Sequence, residues 1–493
     1  MNNSKNNFIK VFLNLKSIRM LFLGFSSGLP ILLVFSTLSV WLVKAGVDRN
    51  TITMFSWAAL AYSFKFIWSP IIDNFKLPFQ KFGHRKSWLL TSQIMIVLSL
   101  IFISFTDPSK TLVLTAIGSV LIAFSSASQD IVIDAYRIES APQRLQGVLS
   151  SLYIAGYRIA MLVAGAGSLL LASYLGLEVY NAGVWKTVYL SMASLMLVGI
   201  LTTIFSPEPN IKRKTSFLSF DDKLRFLITF ILAISIFILV YSFLNNPFNN
   251  DEPLKKFLFA LVKIIFCFIG SGSLIYLLIK INLIKKNSAI TAYVKPVSNF
   301  INRYGKVAIL ILLLIGLYRI ADIVMGVVAN IFYLEKGYNV KEIATYSKFF
   351  GIFATILGGI IGGYTAVRVG TLRALFFGAL IAAASNLLFA WLAVSDPNID
   401  ILITVITADN ISSGFAGAAF VVYLSALTSM KFTATQYALF SSLMLFLPKV
   451  LAGYSGTIVS QIGYSNFYIF TAIIGIPVLL LIIWIAKIAP VKY

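Results

Sequence analysis

The sequence predicts an all-α polytopic membrane protein, for three reasons. Of its 493 residues, 59% are hydrophobic and only 12% are charged, whereas soluble domains carry about 25% charged residues. The mean hydropathy is +0.89. Apolar runs of about 20 residues, the length of a membrane-spanning helix, recur along the whole chain. The small share of charged residues excludes a soluble globular enzyme, because such a protein needs charge on its water-facing surface. Because the apolar runs are continuous rather than alternating, they also exclude a transmembrane β-barrel.

Fourteen of these runs are interpreted as membrane spans. They cover residues 20–43, 51–72, 88–106, 111–135, 147–173, 184–205, 226–244, 257–279, 307–332, 343–367, 372–394, 401–429, 436–460 and 467–488. The seventh and eighth runs are flanked by linkers rich in Asn and Lys, so we interpret them as a transmembrane hairpin inserted between two bundles. We expect residues 1–206 to form an N-terminal six-helix bundle, residues 207–306 the cytoplasmic linkers with the inserted hairpin, and residues 307–493 a C-terminal six-helix bundle.

The excess of basic residues predicts the orientation of these spans. There are 40 Lys and Arg against 18 Asp and Glu, a net charge of +22. In a soluble protein this excess would indicate a nucleic-acid partner, but here the positive-inside rule explains it. With the N-terminus in the cytoplasm, Lys and Arg are frequent in the cytoplasmic segments and scarce in the outer ones. We therefore expect a multi-pass protein in a lipid bilayer, with both termini cytoplasmic and no nucleic-acid partner.

The chain offers little for metal or nucleotide chemistry. It has one cysteine, Cys267, and one histidine, His84, which together cannot form a metal site or an intramolecular disulfide. It also contains no phosphate-binding loop of the Walker type. We therefore expect no metal, no cofactor and no transport driven by ATP on this chain.

A weak internal repeat supports two related halves. Asp73 and the segment Gly83-His84-Arg85-Lys86 follow the second span. In the second half, Gly362-Gly363 lie at the end of the corresponding span, and Arg368 and Arg373 follow it. Two parallel six-helix halves are the arrangement of the major facilitator fold. The alternative is that any short cytoplasmic loop is basic, so the resemblance between the loops could be independent of ancestry.

Ionisable residues inside the spans predict a polar interior. Each costs about 2.5–3.5 kcal/mol at the centre of a lipid-facing helix. Together they would cost on the order of 25 kcal/mol, which exceeds the stability of a typical domain at about 5–15 kcal/mol. They must therefore face a hydrated cavity or one another, either as ligand contacts or as structural clamps between helices. The nine are Lys65, Asp130, Asp134, Arg158, Arg319, Asp322, Lys348, Asp409 and Lys449.

Spacing predicts some of their partners. Asp130 and Asp134 are four residues apart and share a helix face, and Arg319 and Asp322 are three apart and can touch. Arg158 lies in the span after Asp130, so we expect these two to pair across neighbouring helices. A buried carboxylate beside a cation changes its protonation when the pairing changes. Asp130, Asp134 and Asp322 are therefore candidates for proton coupling, although static ion pairs would have the same spacing.

Aromatic residues accompany the buried cations. Tyr62, Lys65 and Trp68 follow one another at intervals of three, and Tyr157 directly precedes Arg158. Cations beside aromatic rings suit an anionic ligand with flat or sugar-like rings. An aromatic belt or simple helix packing would give the same pattern.

Several segments resemble signatures of the AmpG muropeptide permeases, a family of the major facilitator superfamily. They are YSFKFIWSPIID at 62–73, SASQDIVIDA at 126–135, GYR at 156–158, LYRIAD at 317–322, ATILGG at 354–359 and FTATQYAL at 432–439. The resemblance covers both halves in order and leaves out the inserted hairpin. Two positions depart from the family pattern, since Asp409 stands where Glu is usual and Lys449 where Arg is usual.

The resemblance implies a major facilitator of the bacterial inner membrane. It would import anhydro-muropeptides, which are glycopeptide fragments of peptidoglycan, by proton symport with alternating access, as a monomer and without enzymatic activity. For substrate binding we expect Tyr62, Lys65, Gln129, Tyr157, Arg158, Arg319 and Lys348. Proton coupling would use Asp130, Asp134 and Asp322, and gating would use Asp73, Gly83 and Arg85.

Other functions remain open at this point. The same fold could carry another bulky anion, such as a coenzyme A ester or a nucleotide. A membrane enzyme acting on lipid-linked sugars and a receptor without transport are weaker alternatives, because the carboxylates are spread over several spans and no metal-binding cluster accompanies them.

Overall fold

Most of the residues that the structure describes are helical. The computed structural model describes residues 14–47, 51–52, 55, 60–75, 77, 80–176, 180–211, 220–245, 247, 253–281, 283, 290–338, 342–452 and 455–488. No strand occurs within these ranges. Long apolar runs can satisfy their backbone hydrogen bonds in lipid only as helices, which explains this uniformity. The predicted all-α architecture is confirmed.

The helices follow one another in three groups. In the first half they are α1 (Leu15–Val34), α2 (Ser36–Lys44), α3 (Leu60–Phe64), α4 (Ser69–Asn74), α5 (His84–Ser104), α6 (Leu112–Ser140), α7 (Gln146–Leu162), α8 (Ser168–Tyr174), α9 (Ala182–Leu195) and α10 (Leu197–Ile204). The middle group is α11 (Phe220–Phe243), α12 (Pro253–Lys280) and α13 (Lys295–Tyr304).

In the second half the helices are α14 (Val307–Leu317), α15 (Ile320–Gly326), α16 (Ala329–Glu335), α17 (Gly351–Arg368), α18 (Thr371–Val394), α19 (Ile399–Leu427), α20 (Thr433–Ala452), α21 (Ser455–Ile473) and α22 (Ile476–Ile488). Short 3-10 segments lie at Lys65–Ile67, Gln80–Phe82 and Gln143–Leu145, and π-helical segments at Val163–Gly167, Ile290–Val294 and Ile343–Phe350.

Within the described residues, eleven helical stretches are long and apolar enough to cross a membrane. The predicted spans 51–72 and 436–460 include positions outside the described ranges, and the predicted span 226–244 corresponds to the shorter apolar helix Ile228–Phe243. The count of fourteen therefore stays a prediction.

Two large hydrophobic cores organise the described helices. One is built from buried residues between Met20 and Met196, and the other mostly from residues between Phe300 and Ile485. Ala434 and Ala438 of α20 belong to the first core although they lie in the second half of the chain. The two halves therefore interlock through α20. The domain limits at residues 206 and 306 stay a prediction.

The two halves also meet where α7 crosses α17. Ser151 Oγ donates a hydrogen bond to the Gly359 carbonyl at 2.8 Å. A Cβ atom on Gly363 would lie 2.5 Å from the Gly147 carbonyl oxygen, which is closer than two such atoms can approach. Glycine at these positions lets the two backbones touch, as small residues commonly do between membrane helices.

These contacts lie toward one side of the molecule, which we call the basic side because Arg85, Arg137 and Arg303 are found there. On this side Arg303 donates to the Leu427 carbonyl at 2.7 Å.

On the opposite side, Tyr180 Oη donates to Asp107 at 2.5 Å. Burial raises the pKa of Asp107, but the hydrogen bonds from Tyr180 and Ser109 outweigh it and lower the pKa below its ordinary value.

The inserted pair α11 and α12 forms a hairpin that packs on the first half. Phe237 and Phe268, one from each helix, stack edge to face at 5.3 Å between ring centroids. Both rings also contact Phe64 of α3, at 6.0 and 5.8 Å. The hairpin is thus attached to the helix that precedes Lys65.

Candidate functional site

A break in the second span places Lys65 in the interior. The helix stops at Phe64, continues as the 3-10 segment Lys65–Ile67 and resumes as α4. Pro70 lies in the first turn of α4, where its missing N–H group does no harm, and its ring prevents a continuous helix through this point. The Lys65 ammonium group, buried to 8% side-chain exposure, lies 3.7 Å from Asp134 Oδ2 of α6.

Asp134 is shared between two cations. Besides Lys65, it is paired with Arg137 one turn later, at 3.4 Å. Arg137 is fully buried and its Nη1 also donates to Ser425 Oγ of α19 at 2.9 Å. Its guanidinium lies over the ring of Tyr437, 5.3 Å from the ring centroid. Asp134 therefore connects the interior lysine to a contact between the two halves.

The neighbouring Asp130 has a different partner from the predicted one. It accepts a hydrogen bond from Ser27 Oγ of α1 at 2.5 Å, and Ser27 also bonds Tyr153 Oη at 2.8 Å. The predicted pair between Asp130 and Arg158 is not formed, so this prediction was wrong. The reason is the order of helices in the bundle: α1 packs against both α6 and α7, whereas α6 and α7 barely touch each other despite their short connection.

Gln129 is bonded entirely within the protein. Its side-chain oxygen accepts from Ser26 Oγ at 2.9 Å, and its side-chain nitrogen donates to the Ser26 carbonyl at 3.0 Å. The residue is fully buried between α1 and α6. In this conformation it fastens two helices, and its predicted contact with a ligand remains a prediction.

Tyrosine side chains surround the two carboxylates. The hydroxyls of Tyr62, Tyr153 and Tyr157 all lie close enough to Asp130 to interact with it electrostatically. The rings of Tyr153 and Tyr157 are 6.1 Å apart on one face of α7. Tyr62 and Tyr157 therefore lie near Asp130, and their predicted role in substrate binding stays a prediction.

The second half contributes a cation and a carboxylate at another helix break. The helix is interrupted at Arg319, between α14 and α15. Arg319 Nε donates to Asp322 Oδ2 at 2.8 Å, and Nη2 of the same guanidinium makes a second contact with that oxygen. The predicted contact between these residues is confirmed. Nη2 also reaches Ser413 Oγ of α19 at 3.5 Å.

Arg158 brings the charged residues of the first half close to those of the second half. It lies on α7 of the first half, but it interacts electrostatically with Arg319 and Asp322 of the second half. Two guanidinium groups from different halves thus face the same region of the interior. The side chain of Lys348 lies outside the described residues, and its backbone belongs to the π-helical segment Ile343–Phe350.

The predicted gating residues come together on the basic side. Arg85 is 1% exposed and bonds Asp73 Oδ1 at 2.7 Å and both oxygens of Glu139 at 2.7 and 3.0 Å. Asp73 Oδ2 also accepts from the backbone N–H and the hydroxyl of Thr435, both at 2.8 Å. Because Thr435 lies in the first turn of α20 of the second half, this cluster fastens the two halves together.

The charge of Asp73 is stabilised by this arrangement. Burial raises the pKa of the carboxyl group, but the Arg85 guanidinium and the hydrogen bonds of Arg85 and Thr435 outweigh burial. The net pKa of Asp73 therefore lies below its ordinary value.

Gly83 completes the cluster from the start of α5. Its φ of +94° is a conformation that L side chains rarely adopt. It allows Glu208 to accept hydrogen bonds from the backbone N–H groups of Arg85 and Lys86, at 2.9 and 3.0 Å. Glu208 thereby caps the first turn of α5, where a negative charge is favoured.

Sequence reasoning missed four participants in these contacts. Arg137 and Glu139 lie in a segment that the sequence assigned to a basic loop, and Glu208 and Thr435 were not singled out. The spacing of three between Asp134 and Arg137 could have identified that pair, because such residues touch on a helix. No local signal marks Glu208 or Thr435, since their partners are more than 120 residues away along the chain.

The comparisons with known proteins agree with this geometry. The Major Facilitator Superfamily profile matches residues 20–453. Transporter AmpG 4 of Rickettsia conorii is 31% identical over 477 residues, covering 97% of this chain and 98% of that protein. The anhydromuropeptide permease of Escherichia coli K12 is 30% identical over 478 residues, covering 97% of this chain and 81% of that protein.

Solved structures support the fold. The proton:xylose symporter XylE has a TM-score of 0.61 at 12% identity, covering 98% of this chain and 96% of that one. The transporter FucP in its outward conformation has a TM-score of 0.58 at 12% identity, covering 95% and 98%. Together with the family profile and the AmpG relatives, these matches show that the chain belongs to the Major Facilitator Superfamily and, within it, to the AmpG-type permeases.

Proposed function

We propose that this membrane transporter imports anhydro-muropeptides across the bacterial inner membrane by proton symport. The observation that carries the proposal is the pair of guanidinium groups, Arg158 and Arg319, that face one interior region from opposite halves. A muropeptide carries peptide carboxylates and sugar rings, and these are suited to cations beside tyrosine rings. The relative in Escherichia coli is named an anhydromuropeptide permease, which favours the same substrate class.

In the proposed orientation, the side on which the two halves are closed faces the cytoplasm. By the positive-inside rule, the side with Arg85 and Arg303 faces the cytoplasm, and both termini lie there. The halves are fastened together on that side through Asp73 and Thr435. An importer in this state would receive its substrate from the outer side, as the first step of alternating access by a monomer.

Asp134 suggests how substrate binding would loosen the closed side. It now pairs with both Lys65 and Arg137. A substrate carboxylate at Lys65 would replace Asp134 there and leave that aspartate to Arg137 alone. Protonation of Asp134 would remove both pairs. Either change alters the environment of Arg137, whose hydrogen bond to Ser425 joins the two halves.

In the second half, Asp322 and Arg319 would respond to the substrate in the same way. Asp322 now neutralises Arg319, and a second substrate carboxylate would compete for the same guanidinium. Protonation of Asp322 would free Arg319 for the substrate. In this proposal the acidic residues hold the binding cations while the site is empty.

Replacement of the interior cations tests the proposal. We expect Lys65→Ala and Arg158→Ala each to abolish uptake of labelled anhydro-muropeptide into vesicles with an imposed pH gradient, because each removes a charge that pairs with the substrate. Lys306→Ala is the control, since Lys306 is exposed at the start of α14 and should leave uptake unchanged. Normal uptake by both interior variants, with all proteins inserted equally, would contradict the site assignment.

The same vesicles separate the proposed substrate from another bulky anion. An excess of unlabelled muropeptide should suppress the labelled uptake, whereas a coenzyme A ester or a nucleotide should not. Stronger inhibition by either of the latter would assign the carrier to that class of anion instead. Uptake that is unaffected by dissipating the pH gradient would contradict proton symport.

A further inference from the structure

The half-buried carboxylate of Asp409 takes no part in the ion pairs described above. Asp409 lies in α19, ten residues from its start at Ile399 and thus about 15 Å into the membrane from the opposite side. Within the described residues its carboxylate has no ion pair or hydrogen bond. It interacts at longer range with Arg319 and Asp322. A carboxylate at this depth costs free energy, and ionisable residues inside the membrane usually mark functional sites.

A row of tyrosines connects Asp409 to the opposite side. Tyr333 of α16 and Tyr468 of α21 both interact electrostatically with Asp409 and with each other. The Tyr468 hydroxyl is buried and has no hydrogen-bond partner within the described residues. Tyr464 lies one turn before Tyr468, with nearly parallel rings at an interplanar angle of 22° and centroids 6.3 Å apart.

The row ends at an exposed acid. Tyr464 is half-buried, and its hydroxyl interacts with the carboxylate of Glu335, which is exposed at the end of α16. That helix end lies on the opposite side, where Lys336 donates to the Ala393 carbonyl at 2.8 Å. Exposure thus falls steadily from Glu335 through Tyr464 to Tyr468, which is fully buried.

We propose that Glu335, Tyr464, Tyr468 and Tyr333 form a proton-entry route from the opposite side to Asp409. Each hydroxyl can accept a proton on its oxygen and release its own to the next group, so no electrons move and the tyrosines end unchanged. The route requires water molecules to bridge the gaps that the hydroxyls do not span directly. The only net change is that the Asp409 carboxylate becomes a neutral acid.

This inference rests on the proposed proton symport and names its entry point. The groups that face Asp409 are Arg319 and Asp322 from the break between α14 and α15, Tyr333 from α16 and Tyr468 from α21. Neutralising Asp409 removes one of the two negative charges near Arg319. The guanidinium is then held by Asp322 alone and attracts a substrate anion more strongly.

The test uses purified full-length protein without substrate, so that it does not depend on which anion is carried. Infrared difference spectra between high and low pH should contain a protonated-carboxyl band that is lost in Asp409→Asn. After transfer to deuterated buffer, the exchange of this band should slow at least several-fold in Tyr468→Phe and Tyr464→Phe. Both substitutions keep the aromatic ring and remove only the hydroxyl.

Tyr423→Phe is the matched control. Tyr423 is as buried as Tyr468 and lies on the same helix as Asp409, but about 20 Å away toward the basic side. Exchange at the wild-type rate in this variant and slow exchange in the other two would support the route. Wild-type exchange in Tyr468→Phe and Tyr464→Phe, or no band that depends on Asp409, would overturn it.

A transport experiment separates failure of this proton route from failure of the proposed substrate. In vesicles, Tyr468→Phe should lose at least several-fold in pH-driven uptake while retaining exchange of labelled for unlabelled muropeptide, which needs no net proton movement. Loss of both activities in Tyr468→Phe would overturn the route, because the hydroxyl would then serve binding or folding. Absence of both activities in the wild type would instead contradict the proposed substrate. The infrared experiment would still test the proton route in that case.

Discussion

Gly83 illustrates how much one residue contributes to the closed basic side. Its positive φ allows the chain to turn into α5, and a Cβ atom at this position would lie 2.5 Å from the Glu208 side chain. Glu208 is the group that caps α5 next to Arg85. The glycine is therefore required both for the backbone conformation and for the space that the cap occupies.

We expect Gly83→Ala to destabilise the protein more than Gly46→Ala. Both positions have positive φ, at +94° and +77°, but nothing lies within 4 Å of a Cβ atom on Gly46. Both variants carry a backbone cost of about 1–3 kcal/mol. Only Gly83→Ala also displaces the Glu208 cap, for a further loss of about 1.5–3 kcal/mol. Thermal unfolding in detergent measures the difference, and equal melting temperatures would contradict the role of the cap.

At the scale of residues, spacing within one helix was a better guide than adjacency of spans. Arg319 and Asp322 were correctly predicted to touch, because their distance depends only on helix geometry. Asp130 and Arg158 were wrongly paired, because α6 and α7 follow each other in sequence but are separated by α1 in the bundle. Spacing cannot reveal that arrangement.

At the scale of elements, the crossing of α7 and α17 sets how closely the halves approach. Gly147 and Gly363 face each other there, and Ser151 bonds the carbonyl of Gly359. These contacts exist only while the basic side is closed, if the two halves rock against each other during transport. A larger residue at the crossing should therefore act on the conformation as well as on stability.

We expect Gly363→Ala to shift the population toward an open basic side. The added Cβ would collide with Ser151 Oγ and the Gly147 carbonyl, and overpacking of this kind costs about 1–3 kcal/mol. Spin labels on cysteines at Lys81 and Lys431, in a Cys267→Ser background, would report the distance between the halves by pulsed EPR. The distribution should gain longer distances.

Gly272→Ala is the matched control for this change. It also lies within a helix, but a Cβ atom on Gly272 meets nothing within 4 Å. An unchanged distance distribution in Gly363→Ala, or the same change in both variants, would contradict the proposed role of the crossing.

At the scale of the whole molecule, closure depends on an ionised Asp73 that joins the two halves. Its pKa lies below its ordinary value. A carboxylate with a lowered pKa contributes fully above its ordinary pKa of about 4, and the contribution is lost as the pH falls through the lowered value. The cluster should therefore remain intact at every pH at which the transporter works.

The same pair of spin labels tests this pH dependence. We expect the distance between Lys81 and Lys431 to stay constant from about pH 8 to pH 5 and to lengthen only below about pH 4. In Asp73→Asn the longer distance should be present throughout, because the carboxylate is missing at every pH. Lengthening of the wild-type distance between pH 8 and pH 5 would contradict closure by Asp73.

The overall fold could be predicted because hydropathy and charge distribution act on the whole chain. The polytopic all-α architecture and the AmpG-type family follow from apolar run lengths and from segments such as YSFKFIWSPIID. The conformational state could not be predicted, because one sequence has to support both open and closed arrangements that differ by a few kcal/mol. The contacts of Thr435 and Glu208, which distinguish the closed state, join residues far apart in sequence.

The attachment of the inserted hairpin has a practical consequence. Phe237 and Phe268 hold it against Phe64, so it shares the displacements of the N-terminal bundle. A fluorophore or fiducial antibody attached at Lys255, which is exposed at the start of α12, would move with that bundle. Rocking of one bundle against the other could then be recorded during turnover, without chemical alteration of the polar interior.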